Sequence, residues 1–256
     1  MQTRVGWNQR NMTFRDRDLS RVKGLSLWET FPMLASISDP ALAFNLFDDF
    51  LTWDSGAGEQ WVVTQAGGVG TAALTDAVGG ALLLTAGHTD AGDGVQIQKV
   101  GECFKPAAGK HIWFESRLMI TTNVAQIQGF VGLSVTDTTV FNAGDVSASD
   151  YIGFQVTDTG QLARAGKLDF GVNATAGAEE IEVGTYTMIT NTFVNLGFFV
   201  NGITSITAYV NGVAYATIDT VANIPVTEMT PTFVCQSNGT ANPTMTIDWF
   251  RCAQLR

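Results

Sequence analysis

From Phe44 onward, apolar and polar positions follow the two-residue period of strands. The runs WVVTQ, ALLLTA, GVQIQKV, HIWFESRLMI, GFVGLSVTD, YIGFQVTD and LDFGVNAT come first; EEIEVG, FVNLGFFVNG, ITAYVNGVAYATI, TFVCQ and TMTIDWFRCAQL follow. Turn clusters such as DSGAGE, HTDAGDG and SNGTANP separate them. Roughly a dozen or more short strands at such spacing predict a sandwich or barrel. The clearest hairpin is ITAYV-NG-VAYATI, where Asn211-Gly212 suits a type I′ turn. Ile206, Ala208 and Val210 share one of its faces, and Thr207 and Tyr209 the other. No internal repeat argues for a propeller, and no strand–helix alternation for a parallel sheet. The expected fold class is all-β: a two-sheet antiparallel jelly-roll sandwich over residues 44–256.

Residues 1–43 break this pattern. LSLWETFPMLASI has apolar character without a sustained helical period, and Pro32 and Pro40 interrupt the region. It reads as an extended N-terminal arm, with room for one short helix. Trp28, Phe31, Met33 and Leu34 are expected to dock on the chain's own sandwich or on a neighbour.

Composition agrees with many short strands. Charged residues are 15% of the chain, and there are 27 glycines. A formal net charge of −10 argues against direct nucleic-acid binding. The arm is basic: Arg4, Arg10, Arg15, Arg17, Arg21 and Lys23 stand against Asp16 and Asp18. A basic arm on an acidic body points to an acidic contact surface, with a solvated tail as the plain alternative. Cys103, Cys235 and Cys252 have no metal-ligand spacing and read as buried free thiols. The polar start MQTRVGWNQR has no signal-peptide core, and no run of about 18 apolar residues spans a membrane. Assembly in a cytoplasm is expected.

Candidate chemistry is sparse. Within HIWFESRLMI, alternation puts Trp113, Glu115, Arg117 and Met119 on one face. Glu115 and Arg117 are placed to pair with each other or with charges on adjacent strands, and an arginine beside Glu115 would keep it ionised, which suits a structural carboxylate better than a general acid. Glu180 and Glu182 share a face and are the nearest approach to a paired acid site; a solvated strand face is their ordinary reading. Asp90 and Asp93 in HTDAGDG are weak candidates for Ca²⁺, although Asp-Gly pairs are ordinary turn formers. His88 and His111 have no ligand-like partners, and no nucleophile elbow, P-loop or dinucleotide fingerprint is present. No cofactor is expected.

WFESRLMI resembles the FEARIK-type strand of family 16 glycoside hydrolases and other concanavalin A-like lectin/glucanase domains. TIDWFRCAQL resembles their closing IDYVRV-type strand. The stretch from KLDFGVNAT to ITAYVNGVAYATI resembles a laminin-G-like module. The resemblance covers most of residues 44–256 and implies the sandwich. Those hydrolases carry E-x-D-x-x-E on a strand after the FEARIK strand, where it supplies the paired carboxyl groups of retaining hydrolysis. Here QIQGFVGLSVTD follows and has no acid before Asp137. From that departure the chain is expected not to be an enzyme, with glycan hydrolysis a remote alternative.

A second resemblance, over residues 37–256, is to tailed-phage virion proteins with a lectin-like domain. It rests on ISDPALAFNLFDDFLTWDSGAGEQW, CFKPAAGKHIWFESRL, SITAYVNGVAYATI and TPTFVCQ…TIDWFRCAQLR. It implies a capsid decoration (cement) protein on the virion surface, with the major capsid protein and sister protomers as partners. The contact candidates are Arg4, Trp7, Arg10, Arg15, Arg17, Arg21, Trp28 and Phe31. The alternative is a carbohydrate-binding module or adhesin on the particle, with a surface glycan as partner.

Overall fold

The computed structural model describes residues 27–32, 36, 39–55, 59–87, 90–121, 126–142, 145–156, 166–175, 177–239 and 241–256. Among them the regular structure is almost all strand. Ser36 N–H donates to Pro32 O (2.9 Å), and a short 3-10 turn spans Val221–Asn223.

The strands are β1 (Ala43–Asp48), β2 (Trp61–Ala66), β3 (Thr71–Leu74), β4 (Leu82–Thr85), β5 (Ala91–Lys99), β6 (Ile112–Ile120), β7 (Ile127–Ser134), β8 (Phe141–Asn142) and β9 (Asp145–Val146). Then come β10 (Tyr151–Val156), β11 (Leu168–Asn173), β12 (Glu180–Glu182), β13 (Val194–Asn201), β14 (Ser205–Val210), β15 (Val213–Ile218), β16 (Thr230–Asn238) and β17 (Thr244–Leu255). An eight-stranded sheet runs β15-β14-β13-β6-β17-β4-β3, with β1 also paired to β17. A seven-stranded sheet runs β12-β11-β10-β7-β16-β5-β2. Pairing within both is antiparallel, so the chain is the expected two-sheet sandwich.

Alternation builds the core between the sheets. Phe114, Leu118 and Ile120 of β6 face inward, as do Ile152 and Phe154 of β10 and Phe198 of β13. Phe114 and Phe198 stack at 4.9 Å, and Phe233 and Phe250 meet edge-on at 5.6 Å. Each such buried aromatic contributes about 1.5–3 kcal/mol by removal of apolar area from water. The Asn-Gly hairpin forms as its sequence dictates: Asn211 and Gly212 both have positive φ (51° and 76°). Ile206, Ala208 and Val210 are buried on one face of it.

Each sheet also has a covered outer face. Leu27 and Phe31 lie on the eight-stranded sheet against Trp113, Ala43 and Ala253. On the seven-stranded sheet, Val140, Phe141, Val146 and Ala148 close over Phe130, Tyr151 and Val234. Hence Trp61 and Trp113 are both buried, but Trp61 sits in the central core and Trp113 under the N-terminal segment.

Candidate functional site

The outer face of the seven-stranded sheet gathers polar side chains in register. Gln155 of β10 lies opposite Phe130 of β7 on one side and Asp169 of β11 on the other. One row away, Gly132, Gly153 and Gly171 face each other across the same three strands. A Cβ at Gly153 would stand 2.6 Å from the Phe130 ring, and one at Gly171 would stand 2.9 Å from Gln155 Nε2 and 3.0 Å from Tyr151 Oη. The three glycines therefore make a bare backbone floor, which Phe130, Tyr151 and Gln155 overhang.

Acids reach this face from its edge. The Tyr151 hydroxyl donates to Glu179 Oε1. Asp169 Oδ1 accepts the Gly184 N–H (2.9 Å). Tyr151 is fixed by edge-on packing against Phe130 (5.8 Å, 87°).

The amides differ in how they are satisfied. Gln96 donates to Asp137 O and accepts from Val140 N–H (3.1 Å). Gln98 donates to Val135 O (3.0 Å) and Thr232 Oγ1 (3.1 Å), and accepts from Asp137 N–H (3.1 Å). These two side chains clamp the start of the covering segment through its main chain. Gln155 is 2% exposed, yet neither end of its amide has a partner among the described residues. Gln128 and Gln236, opposite each other on β7 and β16, each leave the carbonyl oxygen unpaired. An unmet buried polar group costs about 1–3 kcal/mol, so an amide bare at both ends marks a place for an ordered water or a ligand.

The residues singled out in the sequence go elsewhere. Glu115, on the outer face of the eight-stranded sheet, pairs with Arg251 Nη2 (2.6 Å) directly across on β17, not with Arg117. Arg117 pairs with Asp248 and lies over the Phe193 ring (3.9 Å). Glu180 and Glu182 do share a face, but they sit on the edge strand β12 opposite Val172 and Phe170, on the side of the sheet away from the glycine floor. There Glu180 accepts from Asn223 Nδ2 (2.8 Å). Asp90 and Asp93 flank the start of β5, where Asp93 N–H donates to Asp90 O (3.2 Å). No group of three His, Cys, Asp or Glu fit to hold a metal occurs among the described residues. Trp28 and Phe31 dock on the chain's own sheet; Arg4, Trp7, Arg10, Arg15, Arg17 and Arg21 lie outside the described residues. Cys235 and Cys252 are buried free thiols, whereas Cys103 is exposed, which corrects the expectation for that residue.

A hollow of about 710 Å³ opens on the outer face of the eight-stranded sheet among Leu83, Arg117, Met119, Phe193, Thr246 and Asp248. Its charges are already paired, so its lining is chiefly apolar and hydroxyl.

The polar glycine-floored face was missed in the sequence. Its signal was present as a glycine inside each of FVGL, YIGF and DFGV and as glutamines at alternate positions. What the sequence lacked was the pairing that sets them side by side.

No protein-family model matches the chain, and no curated protein matches it in sequence. Solved structures do match in shape. An endo-1,3-β-glucanase from Streptomyces sioyaensis superposes with a TM-score of 0.58 at 14% identity, covering 85% of this chain and 98% of its own. Peanut lectin superposes with a TM-score of 0.58 at 9% identity, covering 84% and 98%. The β-glucanase of Bacillus licheniformis gives 0.53 at 16% identity, covering 81% and 96%. The architecture is the concanavalin A-like jelly roll of lectins and glucanases. The presence of glucanases among these structures corrects the expectation that the chain is not an enzyme: the fold hosts hydrolysis as well as binding, so the absence of E-x-D-x-x-E does not decide against chemistry.

Proposed function

We propose that this chain acts on carbohydrate at the glycine-floored face of the seven-stranded sheet. The observation that carries the reading is Gln155, an amide buried to 2% exposure with both ends unpaired among the described residues. A sugar hydroxyl donates and accepts at once, and so meets both ends of an amide. Tyr151 and Phe130, both buried, flank it, and the room over Gly153 and Gly171 is held by the Phe130 ring and the ends of Gln155 and Tyr151, so a ligand enters as the covering segment opens. Kinship of fold with lectins and glucanases supports the class of ligand. The test is a glycan array with wild type and Gln155→Leu, followed by calorimetry on the best hit. The wild type retains a glycan, and the leucine variant loses it by about tenfold or more while staying folded. An array without hits, or equal binding by the variant, ends the reading. The same hits are assayed for new reducing ends. Turnover at this face would fall on Asp169 and Glu179, the acids that reach it, and Asp169→Asn would abolish it.

A second reading is favoured by the segment Leu27–Phe31, seated on the opposite sheet. In it the chain is a phage virion protein: the basic residues before Leu27 contact the capsid, and the seven-stranded sheet faces outward. Support comes from the resemblance of residues 37–256 to tailed-phage virion proteins and from the arm's positive charge. Removing residues 1–26 should leave a folded sandwich that no longer binds heads. Full occupancy by the truncated protein would refute the arm's role.

A further inference from the structure

The seat of the N-terminal segment is a built socket. Trp28 Nε1 donates to Glu115 Oε2 (2.6 Å), and the Arg251 guanidinium, paired to that same oxygen, lies over the Trp28 ring (3.8 Å). Phe31 packs edge-on against Trp113 (5.0 Å) and against Trp28 (5.5 Å). Trp113 Nε1 donates to Thr30 Oγ1 (3.2 Å). Leu27 drops into a dimple over Gly197, where a Cβ would stand 2.5 Å from Leu27 Cδ2. The socket thus demands a leucine, an indole one residue on and a second aromatic three residues after that.

Side chains make the whole attachment. The plug's own main-chain bond is internal, Phe31 N–H to Trp28 O (3.1 Å), and among the described residues no main-chain hydrogen bond joins Leu27–Phe31 to the sheet. Residues 32–42 link the plug to β1. At about 3.3–3.6 Å per residue a chain of that length, fully extended, reaches at most roughly 35–40 Å, close to the width of the whole sheet at about 4.8 Å per strand.

We propose that the socket of one copy accepts the Leu27–Phe31 plug of a second copy, so that the chain forms arm-exchanged assemblies. The contacts are the same whichever copy supplies the plug. Exchange therefore costs no packing, and concentration decides between the closed and the exchanged form. The occupant is a second copy because the chain itself carries the segment that fits, at the end of a link long enough to deliver it.

The test uses full-length chains with and without an affinity tag, mixed at rising concentration. Plug-deficient copies carry Trp28→Ala and Phe31→Ala; socket-deficient copies carry Glu115→Ala and Arg251→Ala. Circular dichroism and thermal scans first confirm that each is folded. Tagged wild type should retain untagged wild type, and retention should drop by about tenfold or more between two plug-deficient copies. A plug-deficient copy mixed with a socket-deficient one still has one matched plug and socket, and should be retained to an intermediate degree. No retention between wild-type copies, or the same retention in every pairing, overturns the proposal.

Discussion

Glu115 on β6 and Arg251 on β17 stand directly opposite each other, and one carboxylate oxygen of Glu115 holds both Arg251 Nη2 and Trp28 Nε1 at 2.6 Å. This joint ties the sheet to the segment that precedes it. Glu115→Ala should destabilise the chain by about 1–3 kcal/mol, because it strands a half-buried guanidinium and an indole N–H together. Urea unfolding measures the loss, and a double-mutant cycle with Arg251→Ala should give a coupling of similar size. Additive single effects would show that the pair is only adjacent.

Glycines on one row of the seven-stranded sheet should differ in their tolerance. Gly153→Ala drives a methyl into the Phe130 ring, which other side chains hold in place, and should cost about 1–3 kcal/mol in chemical denaturation. Gly171→Ala meets only the movable ends of Gln155 and Tyr151. It should leave stability within about 1 kcal/mol of wild type and weaken glycan binding. Equal effects of the two on stability would mean that Gly171 has no role beyond packing.

The cover over that face should respond to ligand. Gln96 and Gln98 clamp its start, and Phe141 and Val146 seal it against Phe130 and Tyr151. A glycan that reaches Gln155 must displace part of this seal. Amide exchange in residues 136–148 should therefore change on binding, while β6 and β17 stay as they were. Unaltered exchange there, with binding established, would place the ligand elsewhere.

The thiols set an alkaline limit. Burial pushes Cys235 up to about 12 and Cys252 well above its ordinary value of 9.0. A group whose folded pKa is raised keeps its proton in the fold and loses it more easily when unfolded. Its contribution is whole below pH 9 and drains away as the pH climbs toward 12. Stability should fall there by about 1.4 kcal/mol per pH unit for each thiol, and Cys235→Ala should flatten the slope even though it lowers the starting value. At neutral pH a thiol reagent should find Cys103 quickly and the two buried cysteines only after denaturation.

The two-residue period of β6 was enough to predict that Phe114 and Leu118 face one way and Glu115 the other. The Asn211-Gly212 pair was enough to place the tightest hairpin. Both are local facts, fixed by backbone sterics within a few residues. The partner of Glu115 was not local: alternation offered Arg117, two positions along, or an unspecified charge on an adjacent strand, and strand pairing set Arg251 opposite it from 136 residues away. The same holds for the candidate site. Gly132, Gly153 and Gly171 carry no meaning singly, and Gln155 is an ordinary strand glutamine until Asp169 and Phe130 are placed beside it. The sequence by itself determined the strands, their faces and the layered architecture, because the pleat and the turn chemistry are written residue by residue. Tertiary structure alone decided which polar groups meet, which amide stays unpaired and which face the N-terminal segment covers. Those depend on register between strands far apart in the chain, and no local pattern encodes it.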